Sequence, residues 1–213
     1  MYEKKVLIYR GAEAELWLSE WYGLKTVVKR RLPKSFIIPE LDALLRKTRT
    51  RREVRMLARA RQLGLPVPAV YYVDLASSEI YLEYIEGVRL SELINKGEKC
   101  ESIINKFGHY IGILHSAGIL HGDLTTANVI VRENIPVIID FGLSDKGRDS
   151  EDFGTEIHLF KRAIKTAHPL YAEEIFSEFI DGYKKGNPQN WNEILLRATE
   201  IAKRGRYIPP EER

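Results

Sequence analysis

Two short apolar runs, NVIV and PVIID, flank a turn at Glu133–Asn134, and each run carries a polar motif at one end. The first follows HGDLTTA and the second leads into Phe141-Gly142, so Asp123 and Asp140 stand seventeen residues apart. Taken singly these residues are ordinary. Asp, Asn and Gly are common turn formers because their side chains or their freedom at φ satisfy tight backbone geometry. His121, Asp123 and Asn128 gain meaning only from their order along the chain.

The 213 residues are enough to bury a core, as one domain or two small lobes. Upstream, KVLIYR reads as a strand, GAEA as a turn, and LWLSEW and KTVVKRR as a hairpin turning at Tyr22-Gly23. Residues 40–62 are free of glycine and rich in helix formers, with Gly64 as a stop. PVPAVYYVD and EIYLEYIEG add two strands separated by LASS. The expected first lobe, 1–86, thus holds five antiparallel strands and one main helix. Beyond it, Ile103, Phe107, Ile111 and Leu114 recur at helical spacing up to Gly118, and helical patterns run through 151–166, 171–184 and 191–203. The expected second lobe, 87–203, is mostly helical, and 204–213, RGRYIPPEER, reads as a mobile basic tail.

Composition narrows the class. Hydrophobic residues make up 44% and charged residues 30%, the balance of a soluble protein. No run approaches the roughly 20 apolar residues that a membrane helix needs, and MYEKKVLIYRG has no secretory h-region. The lone Cys100 rules out an internal disulfide and a cysteine-based metal site, which fits a reducing, cytoplasmic setting. The net charge of +3 conceals an asymmetry, because residues 25–61 hold thirteen Lys or Arg against three acidic residues. Such a block is either a solvated helix face or the footprint of a phosphate-rich partner.

The motifs now acquire a mechanism. HGDLTTAN matches the kinase catalytic-loop pattern H-R-D-L-x-x-x-N except at the Arg, and IDFG supplies the metal-binding Asp-Phe-Gly. In that chemistry Asp123 accepts the proton of an attacking hydroxyl or orients a water, while Asn128 and Asp140 hold Mg²⁺ against the nucleotide phosphates. VVK places Lys29 on the third strand as the lysine for the α- and β-phosphates, and Glu53, central in the following helix, is its expected ion-pair partner. Gly11, Ala12, Glu13 and Ala14 form the expected phosphate loop, and Glu83 and Ile85 offer backbone groups to the adenine edge.

On these strings the chain resembles the small atypical kinase subunit of the KEOPS complex, the PRPK family, over nearly its whole length. The strings are RGAEAELW, FIIPELDALLRKTRTRREVRML, YLEYIEG, LHGDLTTANVIV and IIDFGLS, with His168-Pro169 and the basic RGR. The resemblance implies an α+β, two-lobed minimal protein-kinase-like fold in an archaeal-type stand-alone chain. It implies an atypical Ser/Thr kinase and ATPase that uses ATP with Mg²⁺ or Mn²⁺ and phosphorylates itself. It also implies work beside a catalytic KEOPS subunit that makes threonylcarbamoyladenosine in tRNA, and beside a further small subunit, with no membrane partner. A tRNA partner makes Arg49, Arg51, Arg52, Arg55, Arg204 and Arg206 the expected phosphate contacts.

Departures from ordinary protein kinases matter as much. The loop GAEAEL has one glycine where G-x-G-x-x-G has three, and Glu13 would repel a triphosphate unless turned to solvent or another side chain. Gly122 replaces the catalytic-loop Arg, and Thr125-Thr126 stand where a lysine is common. After Asp140 no A-P-E occurs, and only 71 residues follow Gly142, so an activation segment and a peptide platform are not expected. ATP hydrolysis, autophosphorylation or phosphorylation of a docked partner fits better than a broad protein kinase. Three alternatives stand beside this reading. A RIO-type kinase is opposed by RGAEAE and IIDFG, since RIO loops carry Ser/Thr-Gly-Lys and usually lack the Phe-Gly. A small-molecule phosphotransferase of the aminoglycoside or choline type needs a larger acceptor region. A non-catalytic nucleotide-binding scaffold has no need of Lys29, Asp123, Asn128 and Asp140 together.

Overall fold

Tyr22 and Gly23 turn the chain at φ +48° and +80°, both left-handed, the geometry whose twist matches two antiparallel strands. They join β2 (Ala14–Trp21) to β3 (Leu24–Arg31), in register from Ala14 opposite Arg31 to Trp21 opposite Leu24. A computed structural model describes residues 5–204. They fall into two compact units, one of residues 5–86 with 139–143 and one of 87–138 with 144–204. Segment 139–143, expected with the second lobe, packs with the first because Asp140 bonds to Lys29 there.

In the first unit β1 (Val6–Arg10), β2, β3, β4 (Val70–Asp74) and β5 (Glu79–Glu83) form one antiparallel sheet in the order β1-β2-β3-β5-β4. Helix α1 runs from Pro39 to Gln62 between β3 and β4, with a proline at its start, where the missing N–H costs nothing, and Gly64 at φ +77° past its end. Its buried positions are Asp42 near the start and then Thr50, Glu53, Leu57 and Ala60 at three- and four-residue spacing, so Glu53 is the one acid in the later, otherwise apolar or small stretch. Trp21 stacks on Tyr72 with centroids 4.9 Å apart, a packing role.

In the second unit, β6 (Val88–Arg89) leads into α2 (Leu90–Asn95), α3 (Glu101–Ser116) and β7 (Ile119–Leu120). The hairpin of β8 (Val129–Arg132) and β9 (Ile135–Ile138) turns at Glu133 and Asn134, φ +51° and +62°, where the sequence places it. The short strand β10 (Asp145–Lys146) pairs with β7, and the chain enters α4 (Ser150–Ala167) at once, capped by Asp149 accepting from the Glu151 and Asp152 N–H groups. Helices α5 (Ala172–Gly186) and α6 (Trp191–Arg204) follow. The sequence reading missed α2, β6, β7 and β10, each too short to show a period. Arg204, assigned to the tail, closes α6, and the rest of the expected tail lies outside the described residues.

The core of this unit is built on α3 against α5, with Phe107, Phe160 and Phe179 fully buried and Phe160–Phe179 centroids 4.4 Å apart. Gly108 and Gly182 let the two backbones meet. A Cβ on Gly108 would collide with the Phe179 carbonyl, and one on Gly182 with the Asn105 carbonyl. Gly182→Ala is therefore expected to destabilise the chain by about 3–5 kcal/mol or stop it folding, whereas alanine at Gly23, where nothing lies within 4 Å, costs only its backbone strain. Thermal melts of the two variants compare them directly.

Candidate active site

Lys29 and Arg31 lie two residues apart on β3, so both point to one face of the sheet, while Arg30 between them is exposed. From α1, Glu53 reaches both. Its Oε1 accepts from Lys29 Nζ at 2.8 Å and its Oε2 from Arg31 Nη2 at 2.5 Å. The expected Lys29–Glu53 pair is thus present, and Arg31 is a third member that the sequence reading missed, although period-two spacing from Lys29 points to it. Lys29 Nζ also donates to Asp140 Oδ1 at 2.5 Å. Burial works against the Lys29 charge, but Glu53 and then Asp140 outweigh it and lift its pKa above the ordinary lysine value.

Asp140 stands at φ +62°, a left-handed conformation that Asp adopts more readily than most side chains. Its Oδ1 also accepts from the Gly142 N–H at 3.1 Å, and the side chain is 46% exposed, so the carboxylate is held but open to a ligand. The phosphate-loop residues form a tight turn closed by Gly11 N–H donating to the Ala14 carbonyl at 2.9 Å, with Ala12 and Glu13 exposed at its tip. Glu13 turns to other side chains, as the sequence allowed. It accepts from Lys34 Nζ at 2.8 Å and from Arg49 Nη1 at 3.3 Å. The Glu83 N–H is committed to the Ala69 carbonyl at 2.8 Å, and Ile85 is buried.

In the second unit, Asn128 Nδ2 donates to both the carbonyl and Oδ2 of Asp123, each at 2.9 Å. This orients the exposed Asp123 carboxylate and leaves the Asn128 carboxamide oxygen outside these two bonds. His121 is fully buried, and its Nδ1 accepts from the Asp123 N–H at 3.3 Å, which braces the loop. The loop hangs on Glu156 of α4, which the sequence reading missed. Glu156 accepts from the His121 N–H at 3.1 Å, the Gly122 N–H at 2.5 Å and His115 Nε2 at 2.8 Å. Behind it, Asn187 Nδ2 donates to Tyr183 Oη, leaving that hydroxyl to donate to His115 Nδ1 at 2.8 Å. Thr126 is tied separately through His168 Nε2, 2.8 Å from its Oγ1. An acid on the buried stripe of Phe153, Ile157, Phe160 and Ile164 is the only sequence signal that could have found Glu156.

Of the six arginines expected at RNA, Arg51, Arg52 and Arg55 are exposed on α1. Arg49 pairs with Glu13, Arg204 pairs with Glu151 at 2.9 Å, and Arg206 lies outside the described residues. No helix among the described residues is long and apolar enough to cross a membrane.

Comparison with known proteins gives the class first. The family model of the RIO domain matches residues 42–153, a span that holds Glu53, Asp123, Asn128 and Asp140. The crystal structure of the Rio2 kinase–ADP/Mg²⁺–phosphoaspartate complex from Chaetomium thermophilum has a similar fold, with a TM-score of 0.63 and 14% identity over 97% of this chain and 72% of that one. The fold is kinase-like. The KEOPS complex subunit Bud32 of Pyrococcus abyssi is 43% identical over 210 residues, covering 94% of this chain and 96% of that protein. A probable bifunctional tRNA threonylcarbamoyladenosine biosynthesis protein of Methanosphaera stadtmanae is 34% identical, and this chain spans 36% of its length. The chain belongs to the Bud32 family of RIO-domain proteins. The match corrects the expectation that RGAEAE and IIDFG set it apart from RIO-type kinases. The phosphate loop precedes the matched span, and IIDFG falls inside it, so neither string marks a boundary of the family.

The loop anchor makes a pH prediction. Burial alone would raise the Glu156 carboxyl, but the hydrogen bond from His115 and the Gly122 N–H hold it below its ordinary 4.5. A depressed carboxylate contributes stability above its unfolded-state pKa, and this is lost as pH falls through the folded value. Glu156→Gln is therefore expected to cost about 1–3 kcal/mol near neutral pH and to show a shallower fall in melting temperature below about pH 4.5 than the unaltered chain. Thermal melts across pH 3–7 measure both effects.

Proposed function

We propose that the chain is an ATP-dependent phosphotransferase and ATPase that serves threonylcarbamoyladenosine formation in tRNA as a KEOPS subunit. The names carried by its relatives support this, as does the Lys29–Glu53–Asp140 cluster, which is the observation that carries the chemistry. Glu53 holds the Lys29 ammonium in place for the α- and β-phosphates of ATP, with the phosphate loop Gly11–Ala14 beside it and the Glu83 carbonyl and Ile85 N–H reading the adenine edge. The donor set fits Mg²⁺, which takes oxygen ligands and keeps only one or two carboxylates of its own. Asp140 supplies the carboxylate and Asn128 the carboxamide oxygen. When bound, the ion neutralises charge on the phosphate oxygens.

Asp123 accepts the proton of the attacking hydroxyl or orients a water, and the Asn128 amide fixes which way its carboxylate faces. Positioning and charge neutralisation supply most of the rate, so few residues are needed. Seryl or threonyl acceptors, on this chain or on a docked partner, fit the short path from Gly142 to α4, which leaves little to hold a free peptide. Partners are the catalytic KEOPS subunit, a further small subunit, and tRNA along α1 through Arg51, Arg52 and Arg55, in a cytoplasmic setting. Mn²⁺ can stand in for Mg²⁺ at the same oxygens.

An ATPase assay with and without tRNA and the catalytic partner tests the reading, and stimulation in the assembled mixture is expected. Asp123→Ala is expected to lower turnover about 10²-fold or more with an unchanged melting curve, and wild-type turnover in that variant contradicts its role. Asp140→Ala is expected to lose Mg²⁺-dependent nucleotide binding, read by titration with and without the metal. Replacing Arg51, Arg52 and Arg55 together is expected to weaken tRNA binding and flatten its salt slope by about 2–3 while nucleotide binding stays intact.

A further inference from the structure

The phosphate-loop carboxylate occupies a place built for an anion. A small cavity in the first unit is lined by Arg31, Lys34, Arg46 and Arg49, with Glu13 and Asp42 as its acids. The two acids differ in kind. Asp42 is buried, takes Arg46 Nε at 2.7 Å and the Lys34 N–H at 3.2 Å, and so ties the connection after β3 to α1. Glu13 sits on an exposed turn with its side chain 45% accessible, yet it meets the two cations that Asp42 leaves over, the side chains of Lys34 and Arg49. Its main chain is fixed separately, since its carbonyl accepts from the Leu32 N–H at 3.0 Å. The carboxylate can therefore swing away without unmaking the turn.

A second observation points the same way. Arg31 is 5% exposed and its Nε is buried with no hydrogen-bond partner among the described residues, although Nη2 is bonded to Glu53. A buried guanidinium N–H left unmade is costly, and a ligand with several acceptor oxygens would relieve it. A carboxylate brings two such oxygens. A backbone phosphate likewise presents two non-bridging oxygens that share one charge, and makes charge-assisted bonds to Arg and Lys.

We propose that Lys34, Arg49 and Arg31 form a phosphate subsite that Glu13 keeps closed, and that its ligand is a backbone phosphate of RNA. The choice of RNA rests on the tRNA reading given above and on the surface next to the site. Arg52 and Arg55 follow Arg49 on α1 at three-residue spacing and are exposed, neighbouring positions that a polymer of phosphates can span and a single phosphate cannot. Bound RNA takes Lys34 and Arg49 from Glu13, so the arrival of RNA at α1 reaches the turn at Gly11–Ala14 directly.

The test measures binding of a tRNA transcript to the full chain by fluorescence anisotropy at several salt concentrations, with inorganic phosphate as a competing probe. Glu13→Gln keeps the shape and removes the competing charge. It is expected to bind the transcript about tenfold more tightly at low salt, with a salt slope steeper by about one or two, because two cations now meet phosphate with their counterions still to release. Adding Lys34→Met and Arg49→Met is expected to erase that gain. Glu13→Ala, melted alongside, serves as the second variant should the glutamine form fold poorly. Equal transcript affinity with and without Glu13, while the unaltered chain binds RNA, overturns the subsite and leaves the tRNA reading standing. A gain that appears for inorganic phosphate and not for the transcript overturns the choice of RNA. No binding of the transcript by any form overturns both.

Discussion

Glu53 is a carboxylate placed in the buried stripe of a helix, and its two ion pairs decide what surrounds it. A buried charge without partners costs several kcal/mol, so a helix carrying one must face cations. Lys29 and Arg31 on β3 are those cations, and they fix both the rotation of α1 about its axis and its position along the sheet. Lys29 in turn holds Asp140, which draws residues 139–143 into the first unit although they follow β9 of the second. One acid thus orders strand, helix and metal-type loop. Breaking such a pair by removing one partner is far more damaging than never having had it, which is why the cluster acts as a unit.

The second unit solves the same problem with one carboxylate and a row of donors. Glu156 collects two backbone N–H groups and a histidine, so the loop carrying Asp123 is shaped by hydrogen bonds from beneath while the Asp123 carboxylate stays exposed. A loop whose N–H groups are satisfied from the core keeps its side chains in one arrangement without needing to bury them.

The five strands, the long helix and the helical second half were legible because their periods run over enough residues to be counted. Lys29, Glu53, Asp123, Asn128 and Asp140 were legible because the kinase-type motifs are local strings with a fixed order. What could not be read were partners set by tertiary contact. Arg31 was hidden in a run of basic residues, and Glu156 looked like any helix acid until the histidine above it was placed. The affiliation with RIO-type proteins was missed for a different reason. It lies in the arrangement across 42–153 rather than in either of the two strings compared.

Asp140 shows how loosely chemistry and architecture are joined in such a fold. Its left-handed backbone is tolerated by asparagine about as well as by aspartate. A single heritable change of oxygen to nitrogen keeps an oxygen for the Gly142 N–H while it removes the charge that faces Lys29. Under the proposed role of Asp140, one such step would turn a catalyst into a mere structural relative, and a census of shapes alone would not notice.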